Sequence, residues 1–279
     1  MSSIKITKKS GEIVDFDINK LRESLIKSGA SQNDTDYVTK IISNKIDNGI
    51  STHKLYQLAY GLLKKRSNKV AGRYRLKKAI FEMGPTGYPF ESLVSELLRL
   101  KGYVTKKGQI MDGICVKHEV DVYAKKQGNT IFVECKFHND QRRKSDVKVS
   151  LYVNSRFNDL KSKWKQNTEG QHNFEGWIVT NTRFTEDAIE YGSCAGLKMI
   201  SWDYPSRGNL RQLVDSLGIH PITSMQSLTK NEKTFLMEKE IILCRQLVNQ
   251  KNLLLEMGIN ENQISKIISE AYQISEEVQ

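Results

Sequence analysis

The sequence predicts a mixed α/β protein in three parts: a small α+β domain at residues 1–84, an α/β core at 88–205 and a helical segment at 209–279. Proline and glycine cluster at residues 84–89 and again at 205–208, which breaks the chain between these parts. Within the middle part, short apolar stretches alternate with amphipathic ones. That alternation is typical of a sheet with helices on both faces.

The first part begins with a predicted β-hairpin, in which alternating strands at residues 4–7 and 12–16 flank a turn. Asp17 follows the hairpin and can cap a helix, because its carboxylate can accept a hydrogen bond from a free backbone N–H of the first turn. Helical spacing of apolar residues then predicts three more helices, at 34–46, 51–65 and 67–83.

The middle part opens on a strongly amphipathic helix. Its apolar residues recur at helical spacing and are Phe90, Leu93, Val94, Leu97 and Leu98. The strands and helices predicted after it are a hairpin of strands at 113–124 and 130–136, a helix near 145–163, a strand at 177–180, a helix at 185–191 and a strand at 198–202.

The last part is predicted to be helical throughout, with helices at 210–217, 230–239, 241–257 and 261–272. Thr229 and Glu232 have the spacing of a capping box. The apolar spacing from Leu228 to Leu247 resembles a degenerate helix-hairpin-helix DNA-binding unit, although the usual glycine hairpin is absent. An oligomerisation or packing module is the alternative.

Charge and composition narrow the class of protein. The net charge of +11 is concentrated in residues 1–89, where 17 Lys and Arg face 8 Asp and Glu. Such an excess favours an anionic partner, although it also serves solubility. No run approaches the roughly 20 apolar residues of a membrane span, and residues 1–9 lack the apolar core of a signal peptide. We therefore expect a cytoplasmic protein that does not enter a membrane.

Three side chains on the predicted central hairpin carry the chemistry. Glu134 and Lys136 are two residues apart and therefore share one face of their strand. If the two strands pair, Asp121 reaches the same face. The apolar run before Glu134 indicates a buried strand, where an unpaired charge is costly, so this grouping is more informative than a solvated Glu-x-Lys pair.

Two carboxylates and a lysine suit phosphodiester cleavage. Mg²⁺ takes hard oxygen ligands, commonly one or two carboxylates together with water. The bound metal polarises a phosphate and lowers the pKa of its water, and the lysine can stabilise developing negative charge. The pattern therefore predicts a hydrolase that uses Mg²⁺ or Mn²⁺.

This pattern resembles the PD-(D/E)xK superfamily and, within it, the Mrr-like restriction endonucleases. The resemblance covers roughly residues 88–204, including Glu134-Cys135-Lys136 and the later strands at 177–181 and 199–203. It implies that Asp121, Glu134 and the backbone carbonyl of Cys135 bind the metal, that Lys136 is the catalytic lysine and that Glu91 supports the site. Val120 stands where the older motif has proline.

Residues 3–83 resemble the ATP-cone domain of ribonucleotide reductases and their repressors. The resemblance rests on residues 6–11, on residues 16–21 and on the late helix around Arg73. It implies a sensor of ATP or dATP whose contacts with the nucleotide are Lys8, Lys9, Lys20 and Thr52. A basic hairpin that merely touches DNA is the alternative.

Together these observations predict a metal-dependent DNA endonuclease, acting in restriction or in defence against foreign DNA and regulated through its first domain. A non-catalytic, nucleotide-responsive DNA-binding regulator and a structure-specific repair nuclease are the alternatives. DNA and an adenine nucleotide are the expected partners, and a homo-oligomer is a further option.

Overall fold

The front domain holds a small three-stranded sheet. The computed structural model describes residues 4–8, 11–167 and 173–276. The sheet has the order β2-β1-β3, and its strands are β1 Lys5–Thr7, β2 Ile13–Asp15 and β3 Ile50–Ser51. β1 and β2 form the predicted antiparallel hairpin, and β3 runs parallel to β1. The sequence does not predict β3, because two residues are too short for any alternation.

Helices pack on this sheet around their own apolar core. They are α1 Ile18–Ile26, α2 Gln32–Lys45, α3 Thr52–Lys64 and α4 Asn68–Tyr74, and α5 Leu76–Phe81 follows α4 along the chain. Asp17 caps α1 as predicted, with its Oδ1 accepting from the backbone N–H of Asn19 at 2.9 Å. The single helix predicted at 67–83 is wrong, because the backbone turns at Arg75. The turn directs α4 into the front core, while Leu76 and Ile80 of α5 pack in the central one.

The central sheet has five strands in the order β10-β8-β6-β5-β4. Its strands are β4 Val104–Asp112, β5 Lys117–Lys126, β6 Asn129–Lys136, β8 Asn173–Thr180 and β10 Lys198–Ile200, while β7 Lys144–Ser145 and β9 Arg183–Phe184 form a separate pair. β6, β8 and β10 run parallel, whereas β5 is antiparallel to both β6 and β4.

The strand predicted at 113–124 begins too early, and the sequence does not predict β4. Residues 113–116 are the turn that joins β4 to β5. β4 lies at the edge of the sheet, with Val104 and Ile110 largely exposed, so its residues do not alternate between apolar and polar. An edge strand without a buried face leaves a weak pattern in the sequence.

Helices cover both faces of this sheet, as predicted. They are α6 Tyr88–Leu100, α7 Val147–Asn167, α8 Glu186–Cys194 and α9 Leu210–Leu217. α6 and α9 share one apolar core with the sheet, and α7 and α8 share the core on the opposite face. The central domain is therefore a three-layer α/β/α unit with α6 and α7 on opposite sides of β5 and β6.

The last segment is helical and has its own core. Its helices are α10 Lys230–Glu238, α11 Cys244–Leu247, α12 Lys251–Glu256 and α13 Glu261–Ser275. Thr229 and Glu232 form the predicted capping box on α10. The helix predicted at 241–257 is wrong, because Ile242 accepts from the N–H of Ile222 at 2.9 Å and residue 243 bridges to Pro221. These contacts hold the chain extended before α11. The helix-hairpin-helix unit stays a prediction.

The front and last segments contact each other as well as the sheet domain. Thr223 donates a 2.7 Å hydrogen bond to the carbonyl of Ala79, and Arg73 donates to the carbonyl of Ile274 at 3.3 Å. Across the described ranges, no helix combines the length and the apolar character that crossing a bilayer requires.

Candidate active site

The site forms where β5 and β6 separate. Their ladder runs from Lys126–Asn129 to Val122–Val133 and goes no further, although β6 continues beside β8 up to Lys136. At this point the backbone N–H of Cys135 donates to Oδ2 of Asp121 at 2.7 Å. A side chain thus takes the hydrogen bond that a strand neighbour would otherwise accept.

β5 also rotates at this point. Alternate residues of a regular strand share a face, yet Val120 packs in the core under α7 and Val122 in the core under α6. Opposite Asp121 in the register lies Gly108 of β4, whose φ is +56° and which has no ladder partner. Glycine tolerates this conformation without steric cost. The distortion brings the Asp121 carboxylate to the end of β6.

Glu134 is the most buried carboxylate of the site and is fully paired. Its side chain is 5% exposed, and Lys136 Nζ lies 2.6 Å from its Oε1. Nη1 of Arg156, on α7, lies 2.7 Å from its Oε2. The prediction that Glu134 and Lys136 share a face agrees with this geometry. The Cys135 side chain instead packs against the core under α6, so only its backbone faces the site.

Asp121 lies in an electronegative environment. Burial and the charge of Glu134 raise the pKa of Asp121 to about 7, against the hydrogen bond from Cys135. The charge of Glu91 also raises the pKa of Asp121. Two carboxylates held close together in a partly buried site cannot both ionise without cost, and a cation between them removes that cost.

Glu91 lies in the first turn of α6 and belongs to the same acidic group. Burial and then the charge of Glu119 raise the pKa of Glu91, and Lys107 opposes them. Lys107 itself donates to the Tyr88 hydroxyl at 2.7 Å and to Ser92 Oγ at 2.8 Å. The structure therefore brings Glu91 into electrostatic contact with Asp121 and Glu134.

The donor set fits a hard cation. Two carboxylates and a backbone carbonyl, with water in the remaining positions, are what Mg²⁺ and Mn²⁺ accept in proteins. In the described part of the chain, no group of three or more His, Cys, Asp and Glu side chains is arranged to hold a metal ion. Both oxygens of Glu134 are in ion pairs, so a bound cation would compete with Lys136 or Arg156 for this carboxylate.

Sequence reasoning missed Arg156. Its guanidinium donates to Glu134 and to the backbone carbonyl of Glu119, and its side chain is 13% exposed. A signal was present in the helix pattern: Val149, Val153 and Leu160 mark the buried stripe of α7, and position 156 falls on that stripe. An arginine in a core position of an amphipathic helix indicates a buried anionic partner.

A second set of contacts ties α7 to the β4–β5 turn. Asp159 accepts from the backbone N–H groups of Cys115 and Val116 at 2.9 and 3.3 Å, and its Oδ2 lies 2.8 Å from His118 Nε2. His118 is thus a hydrogen-bonding residue that joins β5 to α7. Arg156 and Asp159 together fix α7 against β5.

The residues predicted to bind a nucleotide belong to the front domain, where Lys8 and Thr52 directly follow the paired residues Thr7 and Ser51 of β1 and β3. Lys8 pairs with Glu12 at 2.9 Å, Lys20 is 3.9 Å from Asp17, and Lys9 lies outside the described residues. Thr52 lines a cavity of about 410 Å³ between the front and central domains. The remaining lining includes Tyr56, Arg73, Tyr74, Lys77, Lys78 and Trp202, and neither Lys8 nor Lys20 is among the described residues of this wall.

Comparison with known proteins agrees with this architecture. A family model described as restriction endonuclease matches residues 85–204, and one described as AF1548-like, C-terminal, matches residues 220–275. An uncharacterized protein of Archaeoglobus fulgidus is 32% identical over 183 residues, which are 65% of this chain and 99% of the relative.

Among solved structures, the protein of unknown function AF1548 is 31% identical, with a TM-score of 0.55 over 68% of this chain and 98% of its own. The MspJI restriction endonuclease, solved with a 27-mer oligonucleotide, is 17% identical over 57% of this chain and 34% of its own, with a TM-score of 0.30, too low for a comparison of folds. The chain therefore belongs to the AF1548-like family, with a restriction-endonuclease domain at residues 85–204 and an AF1548-like C-terminal domain at residues 220–275.

Proposed function

We propose that the protein is a metal-dependent DNA endonuclease whose active site is formed by Asp121, Glu134 and Lys136. The observation that carries the proposal is the end of β6, where Asp121 accepts from the Cys135 N–H and Lys136 donates to Glu134. The match of residues 85–204 to a restriction-endonuclease model supports the same reaction class.

The residues divide the work as follows. Asp121, Glu134 and the Cys135 carbonyl would hold Mg²⁺ or Mn²⁺, and Glu91 would support this group from α6. When bound, the cation supplies Lewis-acid polarisation of the phosphodiester. Water attacks the phosphorus as the bond to the leaving oxygen breaks, the leaving oxygen takes up the proton that the water loses, and Lys136 stabilises the negative charge that develops on the phosphate. Glu134 orients the Lys136 ammonium through their 2.6 Å contact.

Nicking of supercoiled plasmid in Mg²⁺ or Mn²⁺ tests this proposal. Asp121→Ala and Lys136→Ala are expected to lower the nicking rate by at least about a hundredfold, since each removes a group that contacts the metal or the reacting phosphate. Lys125→Ala, an exposed lysine of β5, is the matched control and keeps the wild-type rate. Cutting by both active-site variants at the control rate contradicts the proposal. DNA binding without cutting in any metal favours a non-catalytic regulator.

We further propose that the front domain binds ATP or dATP in the cavity that Thr52 lines. The cavity combines cationic side chains with aromatic ones, a lining that suits phosphates and a base. Two buried polar atoms of its lining residues, the Tyr56 hydroxyl and Arg73 Nε, have no hydrogen-bond partner among the described residues. A polar ligand would satisfy such groups.

Calorimetric titration with ATP and dATP tests nucleotide binding independently of cleavage. Lys78→Gln removes a cation of the lining and is expected to weaken binding, whereas Lys64→Gln, exposed on α3, is not. Equal affinity of both variants and the wild type places the nucleotide elsewhere. Plasmid nicking with and without the nucleotide then gives the sign of any regulation.

A further inference from the structure

Glu134 makes two contacts that conflict with its proposed role as a metal ligand. Its Oε1 is bound by Lys136 and its Oε2 by Arg156, so a metal ion at either oxygen meets a cation that is already bound there. The carboxylate is also 5% exposed, and at such burial an ion pair is exchanged only for another strong partner. Repulsion between like charges therefore favours the departure of one of these two cations when Glu134 binds a metal ion.

Of the two cations, Arg156 is the one whose side chain has a second environment close by. Its second guanidinium nitrogen is anchored on the carbonyl of Glu119, and the guanidinium carbon lies 5.3 Å from the centre of the Tyr152 ring. Leu151 and Tyr152 are 46% and 59% exposed, so this turn of α7 faces the solvent. A small rotation about the side-chain bonds would turn the guanidinium from the buried carboxylate toward that surface.

A phosphodiester is the chemical partner that such a guanidinium accepts in place of a carboxylate. Both anions present two oxygens to the planar fork of N–H donors, and arginine binds both in the same bidentate geometry. Lys136 lacks this fork and is attached to the same strand as Glu134, two residues away. A bidentate exchange of a carboxylate for a phosphate is therefore open to Arg156 and not to Lys136.

Resting on the function proposed above, we infer that Arg156 binds a phosphate of the DNA next to the cleavage position, and that it leaves Glu134 to do so. Without DNA, Arg156 is paired with Oε2 of Glu134 and competes with the metal ion for that oxygen. With DNA, the phosphate takes the guanidinium and Oε2 becomes a ligand. DNA and the metal ion then strengthen each other's binding, and by linkage the effect is reciprocal.

Binding of Mn²⁺, followed by the electron paramagnetic resonance of the free ion, tests this inference without cleavage. Titrations are made at low temperature with and without a 20-base-pair duplex, and gel electrophoresis checks that the duplex stays intact. For the wild type we expect the duplex to tighten Mn²⁺ binding between about fivefold and 150-fold, the usual range of coupling between two sites. Arg156→Gln should bind Mn²⁺ more tightly than the wild type without DNA and should lose the tightening by DNA.

Two further variants complete the test. Arg156→Lys keeps the positive charge and should retain a reduced tightening, which separates a phosphate contact from a purely structural role. Arg183→Gln, which removes an exposed arginine paired with Asp203 at 2.6 Å, is the control and should match the wild type. Circular dichroism reports whether each variant folds, and the wild-type titrations alone still test the coupling if Arg156→Gln does not.

The outcomes separate this inference from the proposed function. If the wild type cuts DNA but its affinity for Mn²⁺ does not change with DNA, the inference is overturned and the proposed nuclease function is unaffected. Coupled binding in the wild type, lost in Arg156→Gln, supports the inference even if no cutting occurs. An Arg156→Gln variant with wild-type affinity and wild-type coupling overturns it. Absence of Mn²⁺ binding in all four proteins removes the metal site and this inference with it.

Discussion

Asp121 accepts a 2.7 Å hydrogen bond from the backbone N–H of Cys135, at the point where β5 and β6 stop pairing. This bond joins the two strands after their ladder ends, and it sets the Asp121 carboxylate beside the Glu134-Cys135-Lys136 backbone. The Asp121 side chain thus takes the place of the backbone carbonyl that would accept the next hydrogen bond of the β-ladder. This position is unfavourable for the charged form of Asp121, because burial and the charge of Glu134 raise its pKa to about 7.

Asp121→Asn should stabilise the metal-free protein at pH 8. Because the pKa of Asp121 is higher in the folded chain than its ordinary value of 3.8, the folded state holds a proton that the unfolded state releases. This group therefore lowers the free energy of unfolding as the pH rises from about 4 to about 7. Asparagine carries no charge, so the free energy of unfolding of the variant at pH 8 should exceed that of the wild type by at most about 4 kcal/mol. The gain is smaller than this limit because the side chain retains some contact with solvent.

The melting temperature in EDTA at pH 5 and pH 8 measures this effect. The difference between variant and wild type should grow from pH 5 to pH 8, and Mg²⁺ should raise the melting temperature of the wild type alone. Asp112→Asn, at an exposed position of β4, is the control. A variant that melts at or below the wild type at pH 8 contradicts the assignment of a charge penalty to Asp121.

Asp159→Asn should make the Cys115 thiol more reactive. The hydrogen bond to Asp159 and then the charge of that carboxylate raise the pKa of the Cys115 thiol, so removal of the charge lowers it. The thiolate is the reactive form, and more of it is present at pH 8 in the variant. The two backbone N–H groups of the β4–β5 turn also lose a charged acceptor, which should loosen the turn.

Alkylation by iodoacetamide at pH 8, followed by mass spectrometry, measures the rate at Cys115. Cys194 is a second exposed thiol and serves as the internal reference, and Glu256→Gln is the control for loss of a surface charge. An unchanged ratio of the two alkylation rates means that Asp159 does not control the reactivity of the Cys115 thiol.

Gly218→Ala should destabilise the protein far more than Gly208→Ala. Both glycines have positive φ, +60° and +80°, which an alanine tolerates at a cost of roughly 1–2 kcal/mol. A Cβ at Gly218 would also lie 2.0 Å from the backbone oxygen of Ser275, at the end of α13, whereas nothing lies within 4 Å of a Cβ at Gly208. We expect Gly218→Ala to lose at least about 2 kcal/mol more, since backbone must move to relieve the contact.

Urea denaturation of the two variants measures the difference. Gly208→Ala supplies the cost of the backbone conformation alone, so any excess at Gly218 reports the packing of α9 against α13. Equal midpoints for both variants would mean that the last helix does not dock as the structure has it.

The sequence by itself determined the pieces that depend on neighbours along the chain. The caps at Asp17 and Thr229, the amphipathic helix from Tyr88 to Leu100 and the strand that carries Glu134 and Lys136 all follow from local periodicity or local hydrogen bonds. The mixed α/β class and the separation into three parts follow from the order of these pieces. Asp121 was predicted to reach the same face on the condition that the two strands pair, and the resemblance to a known family added its role as a metal ligand.

Only the tertiary structure decided the rest. β4 is an edge strand that gains its hydrogen bonds from β5, residues 241–243 are extended because they contact residues 220–222, and Arg156 meets Glu134 across 22 positions of sequence. The deciding partner of β4 is the next strand, and for residues 241–243 and for Arg156 it lies about 20 positions away along the chain. A periodic pattern records which face of an element is buried, but it does not record what lies opposite that face, and the charges of this site are set by what lies opposite.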